Sequence, residues 1–322
     1  MSRLSFLAVL PLCLFCTSLS AQPVFSPPVN LGPKINTSTM ESDPFWDAPR
    51  KRLYFVSARD NEIPYIFFSD WTDTGWADPV KLGPQINTGE ELSPSVSMDG
   101  QKLYFVASAR QGYLWDIWGS SWNSSLNDWG EPQNLGPPVN TPAPGAEFSA
   151  HIAPDGRLFF TSTNDPDSLF PSGRCGIYAS VWNGSSWSVP QLQWGCDGRD
   201  PQYPSVPADG QWLYFNHFGE IFAVAWDGLG WVPPTYKLNQ QLGGRAAHPS
   251  ITPSGDSLFF TGTPDLGGFG GNDIWMAKRV IPGKVSAIRK ENLVFLVTVL
   301  LLAGIYWVVR VSLKPANRLE ES

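Results

Sequence analysis

The chain has 322 residues, 42% of them apolar, and a formal net charge of −7. Between a leader-like N-terminus and Lys278 lie 13 basic and 26 acidic residues, a net charge of −13 that excludes a surface built to neutralise nucleic-acid phosphates. Outside the leader only Cys175 and Cys196 remain, too far apart for a Cys-x-x-Cys, and the three histidines form no cluster, which argues against a zinc or dithiol redox centre.

Met1 to Ala21 carries Arg3, an apolar stretch from Leu4 to Phe15 and small residues at Ser18, Ser20 and Ala21. This reads as a secretory signal peptide cut near Ala21-Gln22. Phe15 before Cys16 makes no lipobox, so lipidation is the weaker reading of Cys13 and Cys16. An uncleaved anchor would leave the following domain on the same side of the membrane.

From there an apolar triplet recurs at Leu53, Leu103, Leu158, Leu213 and Leu258, with spacings of 50, 55, 55 and 45 residues. That period fits propeller blades with their loops, one supersecondary unit repeated about an axis. The second copy shows the unit. Pro94 to Ser97 leads to the Asp99-Gly100 turn, then Leu103 to Ser108, Asp116 to Trp122, and Trp129 onward to Leu135-Gly136-Pro137. Four short runs of β-branched and aromatic residues between turn dipeptides predict four antiparallel strands. No segment between residues 22 and 280 sustains a helical period, so a helical solenoid is excluded.

The fifth unit offers only three strands, His248 to Thr252, Ser257 to Gly262 and Asn272 to Lys278. Its missing fourth is at the other end of the chain, where residues 29–37 (VNLGPKINT) reproduce residues 81–88 (KLGPQINT). The fold class is therefore all-β. We expect a five-bladed propeller of four-stranded antiparallel blades, closed by an N-terminal strand, plus one C-terminal transmembrane helix.

The Leu-Gly-Pro-x-Ile/Val-Asn-Thr lead-in, the x-Asp-Gly-x-x-Leu-Tyr-Phe core and the run Gly267 to Trp275 (GGFGGNDIW) resemble bacterial TolB-type, WD-like propeller repeats. The resemblance covers roughly residues 23 to 279. It implies an interaction platform. The chain departs from the best-known member in its five-blade count and in showing no separate N-terminal α/β domain.

Cys175 and Cys196 flank an apparent hairpin, Ile177 to Trp182 and Trp187 to Trp194. Export and an antiparallel pairing favour a structural disulfide over two free thiols. Leu293 to Val309 is an uncharged run of 17 residues with Tyr306-Trp307 near one end, as expected of a membrane span. The domain expectation is thus a signal peptide 1–21, a propeller 22–279, a basic juxtamembrane linker 280–292, a span 293–309 and a cytoplasmic tail 310–322. Five basic residues (Lys278, Arg279, Lys284, Arg289, Lys290) precede the span and three (Arg310, Lys314, Arg318) follow it, which by charge counting alone favours the opposite orientation. The signal peptide is taken to decide, with the first cluster against anionic headgroups. The propeller would then be on the periplasmic or extracellular side.

Counting back from each triplet places Glu41, Glu91 and Glu147 at equivalent inner-strand positions, with Asp200 and Arg245 one position away. Arg59, Asp60, Arg110, Asp167, Arg174 and Asp273 come from the second loop set on the same face. A ring of acids at the channel mouth could hold a ligand or a divalent cation such as calcium. The competing structural reading is that each acid bonds backbone amides of the neighbouring blade. The Trp71/Trp76, Trp182/Trp187 and Trp226/Trp231 pairs carry a similar choice, between sugar stacking and outer-hairpin packing. Two functions follow: a membrane-tethered module binding an envelope protein or glycan, with no cofactor required, and alternatively a glycoside-processing enzyme using paired carboxylates. No Gly-x-Ser-x-Gly elbow occurs, and His151, His217 and His248 belong to no triad motif.

Overall fold

The structure is a computed structural model that describes residues 22–60, 62–108, 115–142, 145–163, 176–195 and 201–280. Arg110, Asp167, Arg174, Asp200, Cys175, Cys196, the leader and the 293–309 run lie outside the described residues. Among the described residues no helix is long and apolar enough to cross a membrane.

The chain begins with a two-residue strand, β1 (Val29–Asn30), whose partner is reached only at the far end of the sequence. Blade one follows, with β2 (Glu41–Asp47), β3 (Arg52–Ser57) and β4 (Tyr65–Thr72), its outer strand split into β5 (Gly75–Trp76) and β6 (Val80–Lys81). Blade two repeats this as β7 (Glu91–Val96), β8 (Lys102–Ala107), β9 (Asp116–Asn123), β10 (Asp128–Trp129) and β11 (Gln133–Asn134). Blade three comprises β12 (Glu147–Ile152), β13 (Arg157–Ser162), β14 (Gly176–Val181) and β15 (Gln191–Trp194). Blade four comprises β16 (Gln202–Ser205), β17 (Trp212–His217), β18 (Glu220–Trp226) and β19 (Trp231–Lys237). Blade five supplies β20 (Ala246–Ile251), β21 (Ser257–Gly262) and β22 (Asp273–Lys278), and its fourth strand is β1.

The pairing is antiparallel, with Val29 opposite Met276 and Asn30 opposite Trp275. Ser26 N–H extends it by donating to the Lys278 carbonyl, and Phe25 bridges to Arg279. Five blades close into a ring as the repeat predicts. The N-terminal strand covers the β22 edge that would otherwise lie open.

The apolar core is five clusters, each shared by two neighbouring blades. Blades one and two bury Tyr54, Phe105, Trp118 and Trp129 together, and blades four and five bury Tyr214, Leu238 and Phe260. The alternation of the second strand explains this: Tyr54 and Val56 face one neighbour, Leu53 and Phe55 the other. The second Trp of each outer hairpin packs on the preceding blade, as Trp129 on Tyr54 and Trp187 on Tyr104. Blade five has no such hairpin among the described residues. Phe25 takes the place instead, edge-on to Tyr214 at 6.2 Å and 5% exposed.

Candidate functional site

The three predicted glutamates do start equivalent inner strands, opposite Ser57, Ala107 and Ser162. They are fully buried, and their carboxylates accept hydrogen bonds from the lead-in motif of the preceding blade. Thr37, Thr88 and Thr141 each donate both N–H and hydroxyl to Glu41, Glu91 and Glu147, at 2.7–3.0 Å. Ser57 and Ser162 add further donors to Glu41 and Glu147, and the Gly89 N–H adds one to Glu91. The preceding Asn of the motif ties the same loop to its own blade. Asn36, Asn87, Asn140 and Asn239 accept from the N–H of Ile274, Ile66, Ile117 and Ile221 at 2.7–2.9 Å.

The Asn-Thr-Glu set is therefore a latch from one blade to the next. Its members vary together within the chain. Where Gln240 stands in place of the threonine, Ala246 stands in place of the glutamate. The carboxylates are turned into protein donors rather than presented as an open acidic ring. Burial raises the Glu147 carboxyl above its ordinary value despite those donors. Arg59 belongs to the same latch, giving a hydrogen bond to the Ile35 carbonyl and lying 3.6 Å from Glu41. Asp60 pairs with Lys81, and Asp273 accepts from Asn30 and the Phe269 N–H. Arg245, next to Ala246, is exposed. Among the described residues, no group of three or more His, Cys, Asp or Glu side chains could hold a metal ion.

Two residues further along each inner strand is a second ring that the sequence reading missed. Asp43, Ser93, Ser149, Tyr203 and His248 all have left-handed backbone, φ 47–58°, and each lies where its strand bulges against its neighbour. Pro follows in four of the five, tolerated because a bulged residue need not donate to the ladder. Residues forced into this region cluster at sites where the surrounding structure overdetermines them. The signal in the sequence was the aligned x-Pro step, obscured because its first residue differs in nearly every copy.

All five inner strands meet around a central cavity of about 30 Å³. Asp43 lies 2.5 Å from His248 Nδ1, and its other oxygen accepts from the Ser93 N–H. Burial pushes the Asp43 carboxyl up, but His248 and the Ser93 donors outweigh it and hold the carboxyl below its ordinary value. The Tyr203 ring stacks on His248 at 3.8 Å. Such a cavity admits a water or two and no substrate. One layer deeper, Ser95, His151 and Ser205 accept the N–H of Ile152, Val206 and Ile251 on the next blade. Burial pushes the His151 imidazole down to about 4, so it stays neutral and can accept.

The open space is elsewhere. A groove of about 810 Å³ lies at the ring's closure, between blades five and one, walled by Trp46, Trp71, Trp76, Phe259 and Met276. Its size is that of a ligand pocket. Aligning the blades explains it. The first residue of the second strand is Arg52, Lys102, Arg157 and Trp212 in blades one to four, but Ser257 in blade five. The corresponding groove between blades one and two, which contains Arg50 and Arg52, is about 360 Å³.

No family model matches the chain, and no curated protein matches it. Solved structures are similar to it. TolB from Acinetobacter baumannii matches at 15% identity and a TM-score of 0.46, over 80% of this chain and 63% of that one. A TolB described as putative, from Agrobacterium tumefaciens, matches at 18% and 0.47, over 74% and 78%. The PQQ-bound aldose sugar dehydrogenase of Streptomyces coelicolor matches at 14% and 0.47, over 81% and 99%. The chain spans less than two thirds of the first of these. The five-blade count rests on this chain's own strand pairing.

Proposed function

We propose that the chain is an exported, membrane-anchored β-propeller that binds an envelope partner as a scaffolding module, and that the partner engages the groove at the ring's closure rather than the channel mouth. The leader and the 293–309 apolar run support export and anchoring. The observation that carries the binding reading is the contrast in space: about 30 Å³ in the channel against about 810 Å³ at the closure, with Trp71 49% exposed on its wall. Glycoside processing needs two carboxylates facing each other across an open pocket. Glu41, Glu91 and Glu147 are each committed to a threonine latch, so that alternative gains no support from them.

The test is site-specific photo-crosslinking in intact cells with the full chain. A photoreactive residue at position 71 should capture a partner. The same residue at position 182, the equivalent tryptophan of blade three, should not. Capture at both or neither position would sink the reading.

A further inference from the structure

The groove has an occupied counterpart inside the same molecule. Between blades one and two, the Arg50 guanidinium lies 5.0 Å from the Trp122 ring and 6.0 Å from the Trp129 ring. The two indoles stand edge to face at 5.2 Å, and Arg52 covers Phe68 at 3.7 Å beside them. Trp71 and Trp76 repeat that pair at 4.9 Å, also edge to face, but they face blade five. The turn joining the first two strands has the same length in both blades, so Arg50, Lys51 and Arg52 correspond to Gly255, Asp256 and Ser257. Two cations that fill the first groove are replaced by a glycine and a serine, and the third by an acid.

We infer that the closure groove is a docking site for an arginine-bearing segment of a partner protein, its guanidinium seated on Trp71 and Trp76 as Arg50 is seated on Trp122 and Trp129. This rests on the binding-module reading and adds the partner's chemistry to it. Aromatic faces attract a desolvated guanidinium, and an arginine can stack on them as an ammonium cannot. The net charge of −13 before Lys278, with Asp256 on the groove wall and Asp73 in the turn joining Trp71 to Gly75, favours a cationic segment. Among the described residues lining the groove, Lys278 is the one cation; it is exposed, and no ring contact places it over Trp71 or Trp76. The volume of about 810 Å³ accommodates several residues of peptide and far exceeds a lone guanidinium.

The experiment uses the full chain in detergent and the labelled peptide acetyl-Gly-Leu-Arg-Leu-Gly-amide, read by fluorescence anisotropy. A second peptide carries citrulline, the neutral isostere, in place of arginine. Binding should weaken about tenfold with citrulline and by a similar factor in Trp71→Ala. The double variant Ser257→Arg/Lys278→Asp transplants the Arg52–Asp70 cross-strand pair, 2.6 Å apart in blade one, onto the matching register partners of blade five. It should fill the groove and abolish binding while melting no lower than the parent. Should it fail to fold, Trp71→Ala, at a half-exposed position, still decides. Equal binding of the two peptides, no effect of Trp71→Ala, or free arginine binding as tightly as the peptide would each overturn the proposal. Partner capture at position 71 with equal peptide binding would leave the module reading standing and remove only the arginine assignment.

Discussion

At the scale of single residues, the latches between blades were only half legible. The alignment of Glu41, Glu91 and Glu147 could be counted from the Leu triplets, but not the direction each carboxylate faces. That depends on Thr37, Thr88 and Thr141 arriving from the preceding blade. The Asp43–His248 contact joins residues 205 positions apart across the ring's closure, and no local pattern announces it. Glu91→Ala should lower stability by about 2 kcal/mol, since it orphans the Thr88 and Gly89 amides, and urea unfolding will measure it. A variant as stable as the parent would return the glutamate to the role of a free surface acid.

His151 gives a pH prediction of definite sign. Its folded value of about 4 lies below its ordinary 6.5, so between these pH values the unfolded chain binds a proton that the native one refuses. Stability should therefore fall as pH drops from about 6.5 towards 4, by up to about 3 kcal/mol. His151→Gln, which keeps an acceptor for the Val206 N–H, should flatten that part of the profile. An unaltered slope would mean another group is responsible.

At the scale of elements, the strands read well because one alternating pattern is repeated five times and each copy checks the others. The closing strand was legible for the same reason: residues 29–37 copy an exit segment that blade five lacks. The inner-strand bulges were not, because Asp43, Ser93, Ser149, Tyr203 and His248 share a backbone conformation and no side-chain chemistry. Removing residues 22–37 should lower the melting temperature markedly and promote aggregation through the bare edge of β22. Phe25→Ala alone should cost about 3 kcal/mol, as an aromatic ring deleted from a closed core. Unchanged melting of the deletion would refute the closure.

At the scale of the whole molecule, the closure has a structural consequence that the repeats by themselves did not reveal. The second strand begins with a large residue in four blades, Arg52, Lys102, Arg157 and Trp212, and with Ser257 in the fifth, where the groove stays open. The site was hidden because it is a substitution within a repeat rather than a motif. Anchoring is tested separately: the full chain should stay with membranes through alkaline carbonate washing, whereas a chain ending at Pro282 should not. Full-length protein in the carbonate supernatant would contradict the span.

The choice between groove and channel mouth is the centre of the account, and hydrogen exchange of the full chain with its position-71 partner bound measures it directly. Protection should gather on β1, on the β4–β5 hairpin and on the turn before β21, all of which wall the groove. Protection gathered instead on the lead-in loops at Thr37, Thr88 and Thr141, with the groove segments unchanged, would place the partner over the channel and contradict the account.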